Sequence, residues 1–317
     1  MSDEQTLDLL EAKIKELREL NKIDGIDLSA EIARLEEKLI ALRKELYSNM
    51  SEWERVKLAR HPDRPYALDY IRMIFEDFYE LHGDRLSGDD PAIVAGLARL
   101  DGTTVAVIGQ QKGRSMEENK LRNFGMPRPQ GYRKARRIMR LAERFSFPVI
   151  TLIDTPGAYP GLAAEENNVG EAIAVNLETM AQLRTPIISA VIGEGGSGGA
   201  IAIGLADRIL MLENAIYSVI SPEGAAAILW KDKERVREAA AALNLTAPRL
   251  HELGVIDEVV PEPLGGAHKD PAKTAAALKD AFLRHLGELV ELSPDALLKS
   301  RYDRYRGIGR YRTLTDR

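Results

Sequence analysis

The chain has 317 residues, 44% of them hydrophobic, a formal net charge of −5 and no cysteine. That length supports one large core or two smaller ones, and the charge argues against a global attraction to nucleic acid. Disulfides, a thiolate nucleophile and cysteine-ligated zinc are excluded. The histidines (His61, His82, His251, His268 and His285) lack ligand spacing, so no metal is expected in this chain.

Met1-Ser2-Asp3-Glu4-Gln5 has neither the basic nor the apolar region of a secretory leader, and no run of about 18 apolar residues follows. A cytoplasmic protein with no membrane span is expected. Residues 1–50 read as two helices. Leu7, Leu10, Ile14, Leu17 and Leu20 form one apolar stripe; Leu28, Ile32, Leu35, Leu39 and Leu42 form another beyond the break at Asp24-Gly25-Ile26-Asp27. Two such stripes predict an antiparallel hairpin with a structural or subunit-contact role.

His61-Pro62-Asp63-Arg64-Pro65-Tyr66 cannot be helical through its prolines, and a helix is expected over 67–81. From 91 to 262 short apolar runs (93–100, 104–111, 149–154, 187–193, 208–212 and 256–260) alternate with helical stretches (131–145, 164–183 and 199–206). That alternation predicts parallel βαβ units. Residues 223–253 read as helical and alanine-rich. After Pro261-Glu262-Pro263-Leu264-Gly265-Gly266 two helices, 271–290 and 294–306, close the chain, and the arginine-rich stretch 302–317 reads as frayed. The expected organisation is a hairpin over 1–50, a main domain over 51–295, and a terminal helix and tail over 296–317.

Three glycine-bearing loops follow predicted strands. The first is Gly109-Gln110-Gln111-Lys112-Gly113-Arg114, leading to Arg122-Asn123-Phe124-Gly125-Met126-Pro127. The second is Asp154-Thr155-Pro156-Gly157-Ala158-Tyr159-Pro160-Gly161, and the third Gly193-Glu194-Gly195-Gly196-Ser197-Gly198-Gly199. Loops beyond the carboxyl ends of strands converge on one cleft in open α/β architectures. The third loop opens an alanine-rich helix, whose first N–H groups have no intrahelical partner and carry positive potential. It can hold the oxygen of a phosphate, carboxylate or enolate, or it can be a tight strand-to-helix turn. The basic helix Tyr132-Arg133-Lys134-Ala135-Arg136-Arg137, with the nearby Lys112, Arg114, Arg122 and Arg128, suits a polyanionic ligand or is a solvated face.

Two motif matches were tested against their contexts. Asp154-Thr155-Pro156-Gly157 fits the D-x-x-G switch of nucleotide triphosphatases, but no P-loop precedes it. Gly195-Gly196-Ser197-Gly198-Gly199 fits the G-x-S-x-G elbow of serine hydrolases. Asp207, Asp257, His251 and His268 are available downstream, although neither histidine sits in an obvious strand-end loop. A cleft rich in N–H donors and poor in side-chain bases suits oxyanion stabilisation in which substrate or cofactor supplies the base.

The chain resembles the α subunits of bacterial acetyl-coenzyme A carboxylase carboxyltransferase. The likeness lies in Ala59-Arg60-His61-Pro62, Arg64-Pro65-Tyr66, Arg122-Asn123-Phe124-Gly125-Met126-Pro127, Gly131-Tyr132-Arg133-Lys134-Ala135 and Ile153-Asp154-Thr155-Pro156-Gly157-Ala158-Tyr159-Pro160-Gly161. It continues through 193–199, Ser218-Val219-Ile220-Ser221-Pro222-Glu223-Gly224 and Pro261-Glu262-Pro263-Leu264-Gly265-Gly266-Ala267-His268.

The resemblance implies an α/β crotonase-like spiral of ββα units. It implies an α₂β₂ carboxyltransferase whose β subunit carries a four-cysteine zinc ribbon, in line with the cysteine-free chain. The implied reaction moves a carboxyl group from carboxybiotin, borne on a biotin carboxyl carrier protein, to acetyl-coenzyme A. The product is malonyl-coenzyme A, the first committed step of fatty acid biosynthesis; ATP is used by the separate biotin carboxylase. On this view the N–H groups of Gly198 and Gly199 hold the biotin oxyanion and Gly195 and Gly196 shape the turn. Gly157, Ala158 and Tyr159 line the pocket, Gly125 lies near it, and Arg133 and Lys134 assist at the pocket or a subunit interface.

Overall fold

The short apolar runs become strands in the computed structural model, which describes residues 3–22, 27–48 and 50–309. The chain divides into two compact units, Met1–Ser51 and Glu52–Arg317. In the first, helices Asp3–Leu20 and Ser29–Ser48 bury Leu7, Ile14, Ile32 and Leu39 between them. Asn21 Oδ1 accepts from Leu28 N at 2.6 Å, and Arg18 pairs with Glu36 at 2.6 Å, so the helices run antiparallel. Of the predicted break, Asp24, Gly25 and Ile26 lie outside the described residues.

The second unit contains a mixed sheet. Its strands are β1 (Glu76–Glu80), β2 (Ile93–Leu100), β3 (Thr103–Gln110), β4 (Val149–Thr155), β5 (Ile187–Gly196), β6 (Arg208–Leu212), β7 (Ile216–Ser218) and β8 (Glu258–Val260). The order is β1-β2-β3-β4-β5-β6-β8, with β7 paired to the far end of β5. β3 through β8 pair in parallel, whereas β1, β2 and β3 are antiparallel, so the all-parallel expectation fails at this edge. The cause is local. Asp101 and Gly102 both adopt positive φ (47° and 81°), the backbone of a two-residue hairpin turn, and β2 folds directly onto β3.

Other differences trace to single residues. The helix expected over 67–81 is Ala67–Ile74. Phe75 turns extended, and the acidic stretch Glu76–Glu80 forms the edge strand β1, where charge is tolerated because one face stays solvated. The helix expected over 164–183 splits into Leu162–Glu166 and Val169–Gln182 at Asn168, whose φ is +60°. The stretch 223–253 holds three helices, Pro222–Trp230, Val236–Leu243 and Ala247–Glu252, the first two ended by left-handed Lys231 and Asn244. The closing helices are Pro271–Leu289 and Pro294–Gly307. The latter is ordered through Gly307 rather than frayed from 302, because buried Arg301 grips Asp207 at 2.7 Å and the carbonyls of Met180, Leu183 and Thr185. Residues 310–317 lie outside the described set.

β4 is buried at all seven positions, as a central parallel strand covered on both faces must be. β5 changes partner along its length. Val191 still pairs with Met211 of β6, but Glu194, Gly195 and Gly196 pair with Ile216, Tyr217 and Ser218 of β7. That switch carries the glycine turn out of the main sheet while β4 stays beside it at Thr155 and Gly195.

Candidate functional site

The end of β5 runs into the short helix Ser197–Ile201, so the N–H groups of its first turn have no intrahelical acceptor. The two sides of this turn differ. A Cβ on Gly199 would lie 2.4 Å from the carbonyl carbon of Gly157 and 2.6 Å from Ala158 N, so only glycine permits the loop 154–161 to lie against the turn. Gly196 faces the Pro156 carbonyl, and Gly195 the Tyr217 ring. A Cβ on Gly198 would meet only Ile173 Cδ1, at 3.5 Å, and Gly198 is partly exposed.

The loop under the turn is itself fixed. Thr155 Oγ1 accepts from Gly157 N at 3.1 Å and donates to Gly157 O at 2.7 Å. Tyr159 N donates to Pro127 O at 3.0 Å, and the Arg128 guanidinium stacks over the Tyr159 ring at 4.7 Å. Gly157, Ala158 and Tyr159 are all partly exposed beside the turn.

Behind the turn lies a polar network that the sequence reading left without a role. Gln110, fully buried at the end of β3, donates from Nε2 to Gly199 O at 2.7 Å; its Oε1 accepts from Asp154 N at 3.1 Å. Asp154 Oδ1 accepts from Glu194 N at 2.9 Å and from Lys112 Nζ at 2.6 Å, and Gly193 leaves the space this carboxylate fills. Lys112 is also 3.6 Å from Glu194. Burial opposes the charge on Lys112, but Asp154 and Glu194 outweigh it and raise its pKa. Arg60 closes the cluster, 2.7 Å from Glu194 and 2.6 Å from Glu223. Burial pushes the Glu223 carboxyl up, but the hydrogen bond and charge of Arg60 together with local hydrogen bonds from Ser221 and the Glu223 backbone more than reverse this, leaving it below the usual range. The sequence signal for Gln110 was only its place in a strand-end loop, and for Lys112 that place and its charge. The contacts that define them span 89 and 42 positions.

Gly125 joins the site through Lys112. Asn123, Phe124 and Gly125 take successive positive φ values of 49°, 55° and 77°, and a Cβ at 125 would press within 2.6 Å of Lys112 Cγ. Arg133 and Lys134 are committed elsewhere. Arg133 binds Asp84 at 2.9 Å, Ser87 at 2.9 Å and the Asn167 carbonyl; Lys134 is fully buried, 2.6 Å from Asp89 and 2.9 Å from the Asp90 carbonyl. Their cationic heads anchor the 84–90 loop.

Ser197 adopts φ +51°, a left-handed conformation compatible with an elbow, but no triad assembles around it. His82 faces Asp89, His285 binds Glu258 at 2.7 Å and His61 stacks on His268 at 4.0 Å; His251 lies in the helix Ala247–Glu252. Among the described residues no histidine is hydrogen-bonded to Ser197. What remains is a set of backbone donors held in place by buried side chains, an arrangement that binds developing negative charge without supplying a base.

Residues 1–309 match the family described as acetyl co-enzyme A carboxylase carboxyltransferase-like. The chain is 57% identical over 308 residues to the acetyl-coenzyme A carboxylase carboxyl transferase subunit alpha of Methylococcus capsulatus, covering 97% of this chain and 96% of that protein. It is also 57% identical over 309 residues to the same subunit of Thioalkalivibrio sulfidiphilus, covering 98% and 97%. Among solved structures, a Pseudomonas malonate decarboxylase hetero-tetramer in complex with coenzyme A superposes with a TM-score of 0.57 at 18% identity, over 69% of this chain and 89% of that one. The beta subunit of P. aeruginosa geranyl-CoA carboxylase gives 0.55 at 20% identity, over 78% and 46%. These structures share the fold, which is crotonase-like rather than a simple parallel α/β sheet. The near-full-length identities settle the relationship: the chain belongs to the acetyl-coenzyme A carboxylase carboxyltransferase family, among its alpha subunits.

Proposed function

We propose that this chain is the alpha half of a cytoplasmic split carboxyltransferase. It moves the carboxyl group of carboxybiotin, presented on a biotin carboxyl carrier protein, to acetyl-coenzyme A, giving malonyl-coenzyme A for fatty acid synthesis. The observation that carries this reading is the asymmetry of the glycine turn. A Cβ on Gly199 would collide with the Gly157 backbone, whereas one on Gly198 would meet only Ile173 Cδ1 at an ordinary 3.5 Å, so the turn is pinned at buried Gly199 and partly exposed at Gly198. Its backbone donors suit an enolate-like oxygen and call for no metal ligand from this chain. Among the described residues no cluster of three or more His, Asp or Glu is placed to hold a metal.

Carboxybiotin supplies the carboxyl group and, once this has left, the base that the site lacks. The Gly198 and Gly199 N–H groups hold the resulting oxyanion, and loss of one such donor typically lowers kcat by about 10²- to 10³-fold. Gly157, Ala158 and Tyr159 wall the pocket, Gly195 and Gly196 set the turn, and Gly125 supports it through Lys112. Arg133 and Lys134 act from behind, through the 84–90 loop. The site for the coenzyme A thioester is completed by a zinc-bearing β subunit in an α₂β₂ assembly, and ATP is handled by biotin carboxylase.

The test is the reverse reaction, transfer of the carboxyl group of malonyl-coenzyme A to biocytin with release of acetyl-coenzyme A, first with this chain alone and then with its β partner. Activity only in the pair supports the split site. A folded, zinc-loaded pair with no activity defeats it.

A further inference from the structure

We propose that Gln110 is a positioning residue that sets the register of the oxyanion donors, a role that deepens the reading of the glycine turn given above and rests on it. Its side chain is fully buried, and both ends of its amide are used by site backbone: Nε2 donates to Gly199 O at 2.7 Å and Oε1 accepts from Asp154 N at 3.1 Å. The helix Ser197–Ile201 is too short to satisfy this carbonyl by itself, since Ile203 N donates to Ala200 O. Gln110 therefore fixes the first turn of that helix from outside it. At its other end it holds the first residue of the 154–161 loop, whose Gly157 lies against Gly199. One amide thus ties together the two segments that meet at the Gly198-Gly199 pair.

The donor and acceptor pattern of this amide is the point on which the role can be tested. A neutral carboxylic acid reproduces it, O–H toward Gly199 O and C=O toward Asp154 N–H, whereas a carboxylate turns two acceptors on each other at Gly199. Burial of Gln110→Glu raises its pKa, and the Asp154 and Glu194 carboxylates push in the same direction while the Lys112 ammonium opposes them. The Gln110→Glu variant is accordingly switched on as pH falls.

The experiment compares wild type, Gln110→Glu and Gln110→Leu, each assembled with the β partner, in malonyl-coenzyme A decarboxylation with biocytin from pH 6 to 8.5. A donor moved by about 1 Å costs on the order of 10²-fold. Gln110→Leu is expected to lose about tenfold to a hundredfold in kcat at every pH, with KM for malonyl-coenzyme A within about threefold. Gln110→Glu is expected to be comparably weak at pH 8.5 and to recover toward wild type as pH falls to 6. A purely structural role would not create that pH-dependent ratio. Should Gln110→Leu fail to fold, the near-isosteric Gln110→Glu still decides. A Gln110→Glu to wild-type ratio that stays constant with pH overturns the positioning role. An inactive wild-type pair overturns the carboxyltransferase reading itself, and the two failures are told apart by that control.

Discussion

Gly199 rests on the backbone of Gly157, with room for no side chain: a Cβ there would lie 2.4 Å from the Gly157 carbonyl carbon, whereas a Cβ on its neighbour Gly198 would meet only Ile173 Cδ1, at an ordinary contact distance of 3.5 Å. Two adjacent alanine substitutions should therefore fail differently. Gly199→Ala forces the two loops apart and should cost about 1–3 kcal/mol of stability along with activity. Gly198→Ala fits the protein, so the melting temperature should change little, yet its methyl group enters the space where substrate oxygen would bind. Paired thermal melts and carboxyl-transfer assays on the β-complexed variants check this. A fully active Gly198→Ala would remove Gly198 from the site.

Ser197 separates the transferase from the hydrolase reading. A backbone donor needs no hydroxyl, so Ser197→Ala should keep carboxyl transfer within about threefold of wild type, whereas loss of a catalytic serine costs orders of magnitude in rate. Turnover of model esters by wild type that vanishes in the alanine variant would revive the elbow that the sequence pattern suggested.

Lys112 neutralises two carboxylates in a nearly closed space, with 14% of its side chain exposed against 2% for Asp154 and 9% for Glu194. Removing one partner of a buried pair leaves an uncompensated charge. Lys112→Met should lower unfolding free energy in urea by about 2–3 kcal/mol. Asp154→Asn should cost less, because its side-chain carbonyl can still accept from Glu194 N–H. The double variant should be less damaging than the sum of the singles, since the orphaned charge is gone. Strict additivity would show that the pair is screened and contributes little.

The order of helices and strands was largely legible because β4 and β5 are mostly apolar, and the strand-end loops stood out by their glycines. The edge was not. β1 is acidic and solvated, without the alternation that marks a strand, and β7 is three residues long. The Asp101-Gly102 turn was in principle readable, since Asp-Gly between apolar runs is a strong hairpin signal, but the βαβ pattern further along set the expectation. For the site, the glycines stood out in sequence as a strand-to-helix turn, although what requires them, the 154–161 loop and Tyr217, comes from other segments. Sequence left Gln110 without a role and counted Lys112 only among cations suited to a polyanionic ligand, because their meaning lies in partners on other segments, Gly199 and Asp154. It linked Arg133 and Lys134 to the pocket or a subunit interface through their charge and the resemblance, and their Asp84 and Asp89 partners, more than forty positions upstream, could not be read from it.

His268 supplies a pH signature away from the glycine turn. It stacks on His61 at 4.0 Å with Nδ1 buried and unpartnered, and burial, followed by repulsion from His61, Lys269 and Arg64, pushes its pKa down to about 4, against a weak opposing effect from Asp63. In the unfolded chain the same imidazole titrates near its ordinary 6.5. Between those values the unfolded state binds the additional proton, so stability falls as pH drops from 6.5 toward 4 and is unaffected by this group above that window. His268→Gln removes the titration and keeps a polar side chain. Urea midpoints measured from pH 4 to 7.5 should therefore fall more steeply for wild type than for the variant below pH 6.5, with the gap between them constant above it. Parallel curves across the whole range would mean that the stacked pair accommodates the imidazolium, and that His268 does not contribute to acid destabilisation.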